Sequence, residues 1–261
     1  MEDRVTIAVA EGVADVRLAR GGKLNAIDGR MFDALAQAIE TLAARRDLRA
    51  VVLSGEGDGF CSGLDMAAMA GGELAGLDLA ARDVGPANRV QQVTWGWRTL
   101  AVPVIAAVHG VAFGGGTQIM AGADIRLAHP ATRFAIREVH WGIVPDMGGF
   151  ALWRGVREDS LREWIYTARE FDAAEALAAG FVTRLVENPR DEALALARMI
   201  AGRSPDAVRS AKRLFAAMAT TPPDAMLALE SAEQVALMAG SNHHEAVRAN
   251  MERRRPAFRD A

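Results

Sequence analysis

Val108-His109-Gly110-Val111-Ala112-Phe113-Gly114-Gly115-Gly116-Thr117-Gln118 decides the fold: a buried strand runs into three glycines and then into an apolar helix. A helix N-terminus carries N–H groups with no intrahelical acceptor, together with the positive end of the backbone dipole. Three glycines leave no side chain to keep a ligand away from those groups. The segment therefore suits an anion or a developing oxyanion. Tight helix packing is the alternative use of such a run.

Outward from it, a second segment has related properties. Gly59-Phe60-Cys61-Ser62-Gly63-Leu64-Asp65-Met66 follows a strand that ends near Ser54, in a glycine-rich loop whose small residues Cys61, Ser62 and Gly63 let a ligand approach the main chain. A plain strand-to-helix loop is the competing reading. Around these two loops the chain alternates strand and helix. Val5–Ala10 and Val13–Leu18 alternate as half-buried strands around a Glu11-Gly12 hairpin turn, and residues 49–54, Val104–Val108, 126–128 and Arg133–Ala135 are further strands. Asp28 is placed to cap a helix bearing Phe32, Leu35, Ile39 and Leu42 on one face, and residues 90–100 form another helix. Beyond Asp159, residues 161–168, 173–179, 192–201, 207–219, 225–238 and 245–254 all read as helices. The fold class is α/β with a helical C-terminal region, divided as a core over residues 1–200 and a helical region over 201–261. Residues 67–85, rich in Gly and Ala, read as a mobile loop with one helical turn.

Composition narrows the function classes. With 30 basic and 33 acidic residues among 261, the formal charge of -3 provides no general field for nucleic acid, so an anionic ligand must be met locally. Cys61 is the single cysteine, which excludes an internal disulfide and points to a reducing, cytoplasmic setting. The apolar stretch over 101–120 is interrupted by Pro103, His109 and the glycines, so no membrane span is expected and the chain reads as soluble. His243-His244 lacks partners at metal-ligand spacing, and no metal is predicted. His109 and His140 are read as structural.

The two loops, in this order and spacing, resemble the paired oxyanion segments of the crotonase (enoyl-CoA hydratase/isomerase) family. The resemblance continues through Ala123-Asp124-Ile125-Arg126, Phe134-Ala135-Ile136-Arg137-Glu138, Gly142-Ile143-Val144-Pro145-Asp146-Met147-Gly148-Gly149, Phe171, Ala173-Ala174-Glu175-Ala176, Ala179-Gly180-Phe181-Val182 and Arg253-Arg254-Arg255-Pro256-Ala257-Phe258. It implies a crotonase-like spiral of ββα units and a helical C-terminal trimerisation region, giving a homotrimer or a dimer of trimers. It implies an acyl-CoA thioester as ligand, with coenzyme A part of the substrate and no separate cofactor. Matched position by position, the oxyanion N–H donors fall on Ser62 and Gly115. Lys23-Leu24-Asn25-Ala26 is similar to the segment lining the adenine end of the CoA site. The expected CoA contacts are Lys23, Leu24, Ala26, Cys61, Gly63, Leu64, Asp65, Gly114 and Phe258.

The reaction depends on the proton-transfer groups. In the family's hydratases two glutamates flank the substrate; one matches Glu138, while the other matches Gln118, an amide that orients a water or a substrate group but does not exchange a proton at neutral pH. Asp146, eight residues after Glu138, gives a pair similar to the dienoyl-CoA isomerase arrangement. The expected catalytic residues are Glu138 and Asp146, with Gln118 orienting the substrate. Double-bond isomerisation is favoured over 2-enoyl-CoA hydration, and a non-catalytic acyl-CoA binder is the third reading. For Glu138 the competing role is an ordinary ion pair with Arg137 or Arg126; for Asp146 it is a turn or cap residue.

Overall fold

The computed structural model describes residues 4–72 and 78–260. It opens with β1 (Val5–Ala10) and β2 (Val13–Leu18), an antiparallel hairpin turned by Glu11 and Gly12 at φ of 51° and 76°. Two residues at positive φ match the turn to the right-handed twist of the strands. Asp28 caps α1 (Gly29–Ala43) by accepting the Met31 N–H at 2.8 Å, and Phe32, Leu35, Ile39 and Leu42 form its buried face. Next come β3 (Ala50–Gly55), α2 (Met66–Ala70), α3 (Arg89–Thr99) and β4 (Val104–Val108). The helical turn expected within residues 67–85 is α2; part of that loop, residues 73–77, lies outside the described residues.

After β4 the chain continues through β5 (Val111–Phe113), α4 (Gly115–Ala121), β6 (Ile125–Ala128), β7 (Arg133–Ala135), α5 (Gly149–Leu152), α6 (Glu158–Thr167), β8 (Glu170–Asp172), α7 (Ala173–Ala178) and β9 (Arg184–Leu185). The larger sheet has the order β1-β2-β3-β4-β6-β9 and is parallel from β2 onward. Its central strands are buried on both faces. Val51, Leu53, Ala106 and Val108 pack in the core that includes Leu35 of α1 and Trp97 of α3, while Val52, Ile105, Ala107 and Leu127 pack against Ala193 and Ala197 of α8 (Pro189–Ala201). This explains why β3 and β4 read as unbroken apolar runs. Each valine, leucine or isoleucine among them contributes about 1.5–3 kcal/mol on burial.

The smaller sheet, β5-β7-β8, was not expected from the sequence, because β5 and β8 are too short to show a period of two. Its far side is an aromatic cluster in which Trp164 stacks on Phe171 at 3.7 Å between ring centroids, with Phe134 and Phe181 around them. The chain passes from one sheet to the other at Gly110, whose φ is +61° and whose missing Cβ makes room for the Asp58 carbonyl. That crossing brings the glycine run beside the loop that follows β3.

The remaining helices are α9 (Pro205–Met218), α10 (Pro223–Met238) and α11 (Ser241–Met251). Helix α9 folds back onto the core, where Lys212 Nζ donates to the Val102 carbonyl at 2.7 Å and pairs with Asp124 at 2.9 Å. Helix α10 buries no residue and exposes Leu227, Val235 and Met238. Among the described residues no helix is long and apolar enough to cross a membrane.

Candidate active site

The segment before α1 is the scaffold for the first loop. Leu24 and Asn25 both hold left-handed backbone, φ 48° and 54°. Asn25 is buried: its Oδ1 accepts the Arg20 N–H at 2.8 Å, and its Nδ2 donates to the carbonyls of Glu56 at 2.9 Å and Gly59 at 2.8 Å. The Leu24 carbonyl takes the Ser62 N–H at 2.9 Å. This corrects the sequence expectation, since Ser62's N–H is already engaged. Gly63, at φ +89°, then turns the chain, and the Ile27 N–H and the Asp65 N–H bond to the Gly63 and Ile27 carbonyls at 2.8 Å each. Between them the N–H of Leu64 has no acceptor among the described residues. Leu64, not Ser62, offers the free donor.

The two loops are joined by main-chain bonds: the Cys61 N–H to the Val111 carbonyl at 3.1 Å and the Phe113 N–H to the Cys61 carbonyl at 2.9 Å. Gly116 lies so close that a Cβ there would sit 2.9 Å from Cys61 Cβ and overlap its carbonyl oxygen. The Gly114 N–H is held by the Ala135 carbonyl at 2.8 Å, whereas the Gly115 N–H, first in α4, has no acceptor among the described residues. A Cβ on Gly63 would be 3.5 Å from that nitrogen, which puts the two free donors on neighbouring turns of the same wall.

Glu138 hangs over this wall; its carboxylate carbon is 3.8 Å from where a Gly114 Cβ would be. It is 8% exposed and pairs with no cation among the described residues. Arg137 instead pairs with Glu170 and lies over the Phe113 ring at 4.2 Å, and Arg126 donates to the carbonyls of Phe181 and Ala123. The ion-pair alternative for Glu138 therefore fails. Its Oε1 accepts from Gln118 Nε2 at 2.7 Å; its Oε2 is buried with no partner among the described residues. Burial pushes the Glu138 carboxyl above its ordinary range, and the nearby Asp146 charge adds to the rise, against the lowering effect of the Gln118 bond.

Gln118 is fully buried and its orientation is forced. Its Oε1 accepts the N–H groups of Met147 at 3.0 Å and Gly149 at 3.1 Å, which only donate, so Nε2 must face Glu138. One Nε2 N–H is left over, but Gln118 is fully buried and is absent from the cleft walls, so its amide serves Glu138 and the 147–149 turn, which corrects the substrate-orienting role. Asp146 is half-buried, with its carboxyl raised by desolvation, and does not cap α5, which starts at Gly149 after Gly148 and has no side-chain cap. It is absent from the cleft walls and reaches Glu138 through charge.

The cleft has a volume of about 610 Å³, part of it open to solvent, and is lined by Ser62, Gly63, Leu64, Gly114, Gly115 and Glu138 on the polar side. Met66, Met69, Trp141 and Ile143 form its apolar side, and Arg137 its cationic corner. None of these last five was given a site role from the sequence, although Met66, Arg137 and Ile143 lie within the quoted motifs and Trp141 is three residues after Glu138. Of the expected CoA contacts, Gly63, Leu64 and Gly114 line the cleft, while Lys23 and Leu24 stand exposed beside Ser62. Ala26 and Cys61 are buried. Asp65 caps α2 and pairs with Arg20 at 2.7 Å, so it serves the loop. Phe258 is not brought here within this chain: its carbonyl accepts from Arg49 at 3.3 Å, before the start of β3, about 20 Å of strand from the loop that follows Gly55. His109 is structural, its Nε2 lying 2.8 Å from the Gly57 carbonyl. Among the described residues no three His, Cys, Asp or Glu side chains cluster in a way that could hold a metal.

Comparison with known proteins places this geometry. The family model described as enoyl-CoA hydratase/isomerase matches residues 8–261. The chain is 35% identical over 221 residues to the human mitochondrial delta(3,5)-delta(2,4)-dienoyl-CoA isomerase, covering 80% of this chain and 66%, just under two thirds, of that protein. It is 31% identical over 249 residues to an enoyl-CoA hydratase of Mycobacterium tuberculosis, covering 94% of this chain and 92% of the relative. The crystal structure of an enoyl-CoA hydratase from Mycobacterium tuberculosis H37Rv superposes with a TM-score of 0.87 at 29% identity, over 100% of both chains. With its paired loops and buried carboxylate, the chain belongs to the enoyl-CoA hydratase/isomerase family of the crotonase superfamily.

Proposed function

We propose that the protein isomerises a double bond in unsaturated acyl-CoA thioesters, with Glu138 as the proton-transfer group. The thioester carbonyl oxygen accepts hydrogen bonds from the N–H groups of Leu64 and Gly115. Glu138 removes a proton α or γ to that carbonyl, the negative charge of the resulting dienolate settles on the oxygen between the two donors, and the proton returns to the other carbon. Each donor is worth about 3–4 kcal/mol at the transition state. Burial raises the carboxyl toward the operating pH, which suits a group that must both take and give a proton.

One observation carries this reading: among the described residues the only side chain bonded to the Glu138 carboxylate is an amide, Gln118, where hydration calls for a second proton-transferring carboxylate. Asp146 tunes Glu138 by charge. Hydration of 2-enoyl-CoA is the second reading, favoured by the name of the Mycobacterium tuberculosis relative. The acyl-CoA needs no further cofactor. The helices over 201–261, with the exposed apolar residues of α10, serve assembly into a trimer or a dimer of trimers. The buried free thiol of Cys61 fits a reducing cytoplasm.

The test is product analysis with 3-enoyl-CoA, 3,5-dienoyl-CoA and 2-enoyl-CoA as substrates. Isomerisation is expected, and Glu138→Gln is expected to lower it by about 10²–10⁴-fold while CoA affinity persists. Rapid hydration without isomerisation transfers the assignment to hydratase. Undiminished turnover in Glu138→Gln removes Glu138 from the mechanism, and binding without any turnover in the wild type leaves an acyl-CoA binder.

A further inference from the structure

The sequence equates Gln118 with a group that touches substrate. Its surroundings give it a different task. Three bonds hold the amide in place: two N–H groups into Oε1, from Met147 and Gly149, and one N–H of Nε2 out to Glu138 Oε1 at 2.7 Å. Met147 is itself part of the wall, since its Sδ is 3.0 Å from where a Gly115 Cβ would be, and its carbonyl accepts from the Thr94 hydroxyl. One side chain thus ties the 147–149 turn, the second oxyanion loop and the carboxylate into a rigid unit.

The consequence falls on the two carboxylate oxygens. Oε1 is held by a donor that never takes a proton; Oε2 is shielded from solvent and has no hydrogen-bond partner among the described residues. A buried, unpartnered carboxylate oxygen in a native site needs a reason, and proton exchange with a ligand supplies one. Water has no place between Gln118 and Glu138 at their hydrogen-bonded distance.

We propose that Gln118 is a positioning residue which fixes Glu138 so that Oε2 alone exchanges the proton, and the proton taken from one substrate carbon returns to another before it exchanges with water. The proposal rests on the isomerase reading above. In the first step a C–H bond breaks, its electron pair enters the dienolate, and an O–H bond forms on Oε2. In the second the O–H bond breaks and a C–H bond forms at the other carbon of the same face. No oxidant, reductant or second base takes part.

The charged groups facing Glu138 are Asp146, from the turn before α5, and Arg137, its chain neighbour, which is turned onto Phe113 and paired with Glu170. Removing the Gln118 donor takes away the one side-chain bond that favours ionised Glu138. The lower limb of the kcat/KM profile then moves to higher pH.

The experiment is isomerisation in D₂O, with deuterium in the product counted after single turnover, for wild type, Gln118→Met and Gln118→Glu. Gln118→Met keeps the bulk and loses all three bonds; Gln118→Glu keeps an acceptor for Met147 and Gly149 if the turn depends on it. The wild type is expected to return mostly protium. Gln118→Met is expected to incorporate deuterium into most of the product, with kcat about tenfold lower, KM nearly unchanged and the acid limb shifted upward. Gln118→Glu, which sets an oxygen against Oε1, is expected to incorporate deuterium as well, because the two carboxylates part and admit water.

Full deuterium incorporation by the wild type overturns the proposal, as does a folded Gln118→Met or Gln118→Glu with unaltered protium return. Loss of isomerisation in Glu138→Gln alongside either of those results leaves the isomerase reading intact and removes only the role of Gln118. Persistence of isomerisation in Glu138→Gln removes both.

Discussion

The two loops that supply the free N–H groups reach the same end by different means. In the glycine run the donor is fixed by the residues themselves: Gly114 turns at φ +47°, Gly115 opens the helix, and Gly116 lies against the Cys61 carbonyl. In the 59–66 loop the donor is fixed by a distant segment, since the left-handed Leu24 offers its carbonyl to Ser62 and so leaves Leu64 as the residue with a free N–H. A donor that glycines mark can be found by reading along the chain. A donor that another strand of backbone selects cannot.

The largest expected effect comes from forcing the two loops apart. Gly116→Ala places a methyl group inside the Cys61 backbone, so both donors move. Activity is expected to fall by about 10³-fold or more, with a lowered Tm, as read by turnover and a thermal melt. A smaller and sharper break is an amide-to-ester replacement that deletes one N–H. At Leu64 it is expected to lower kcat by about 10²–10³-fold with little change in stability. At Ser62 it is expected to cost about 1 kcal/mol of stability, through the lost Leu24 bond, with kcat largely kept. The reverse pattern would restore Ser62 as the donor.

Next in size is an effect on stability against pH. Glu138 has a folded pKa raised above its unfolded value by burial. It therefore favours the folded state below the unfolded pKa and loses that contribution as pH rises through the folded one. At pH 7 Glu138→Gln is expected to raise Tm, by about 2–4 °C for each kcal/mol relieved, and the difference is expected to shrink toward pH 4. Melts across that range check it. The smallest effect is Ser62→Ala, expected to keep kcat and Tm because the hydroxyl makes only a 3.5 Å contact with the Lys23 carbonyl.

Much of the architecture was legible because its signals are local. The hairpin turn at Glu11-Gly12, the Asp28 cap and the two-faced burial of β3 and β4 each follow from neighbouring residues. The short strands β5, β8 and β9 were not, since two or three residues carry no period. At the site, the order of motifs led to Gly115 and Glu138. Gln118 was legible as an amide and not as a clamp, because its partners Met147 and Gly149 come from a turn that is distant in sequence. Phe258 was assigned by its motif, but its position depends on how the C-terminal segment returns past Arg49.

Cys61 lies between the two loops, fully buried, its thiol donating to the Asn25 carbonyl at 3.2 Å and its pKa pushed up to about 12 by burial. A thiol in that condition is inert toward alkylating reagents while the loops stay joined. Since it is the chain's only cysteine, its modification clocks one event, the parting of the two loops. The protein carries its own chemical stopwatch for the opening of the cleft. A bound acyl-CoA should slow that clock in proportion to how firmly it bridges the two sides.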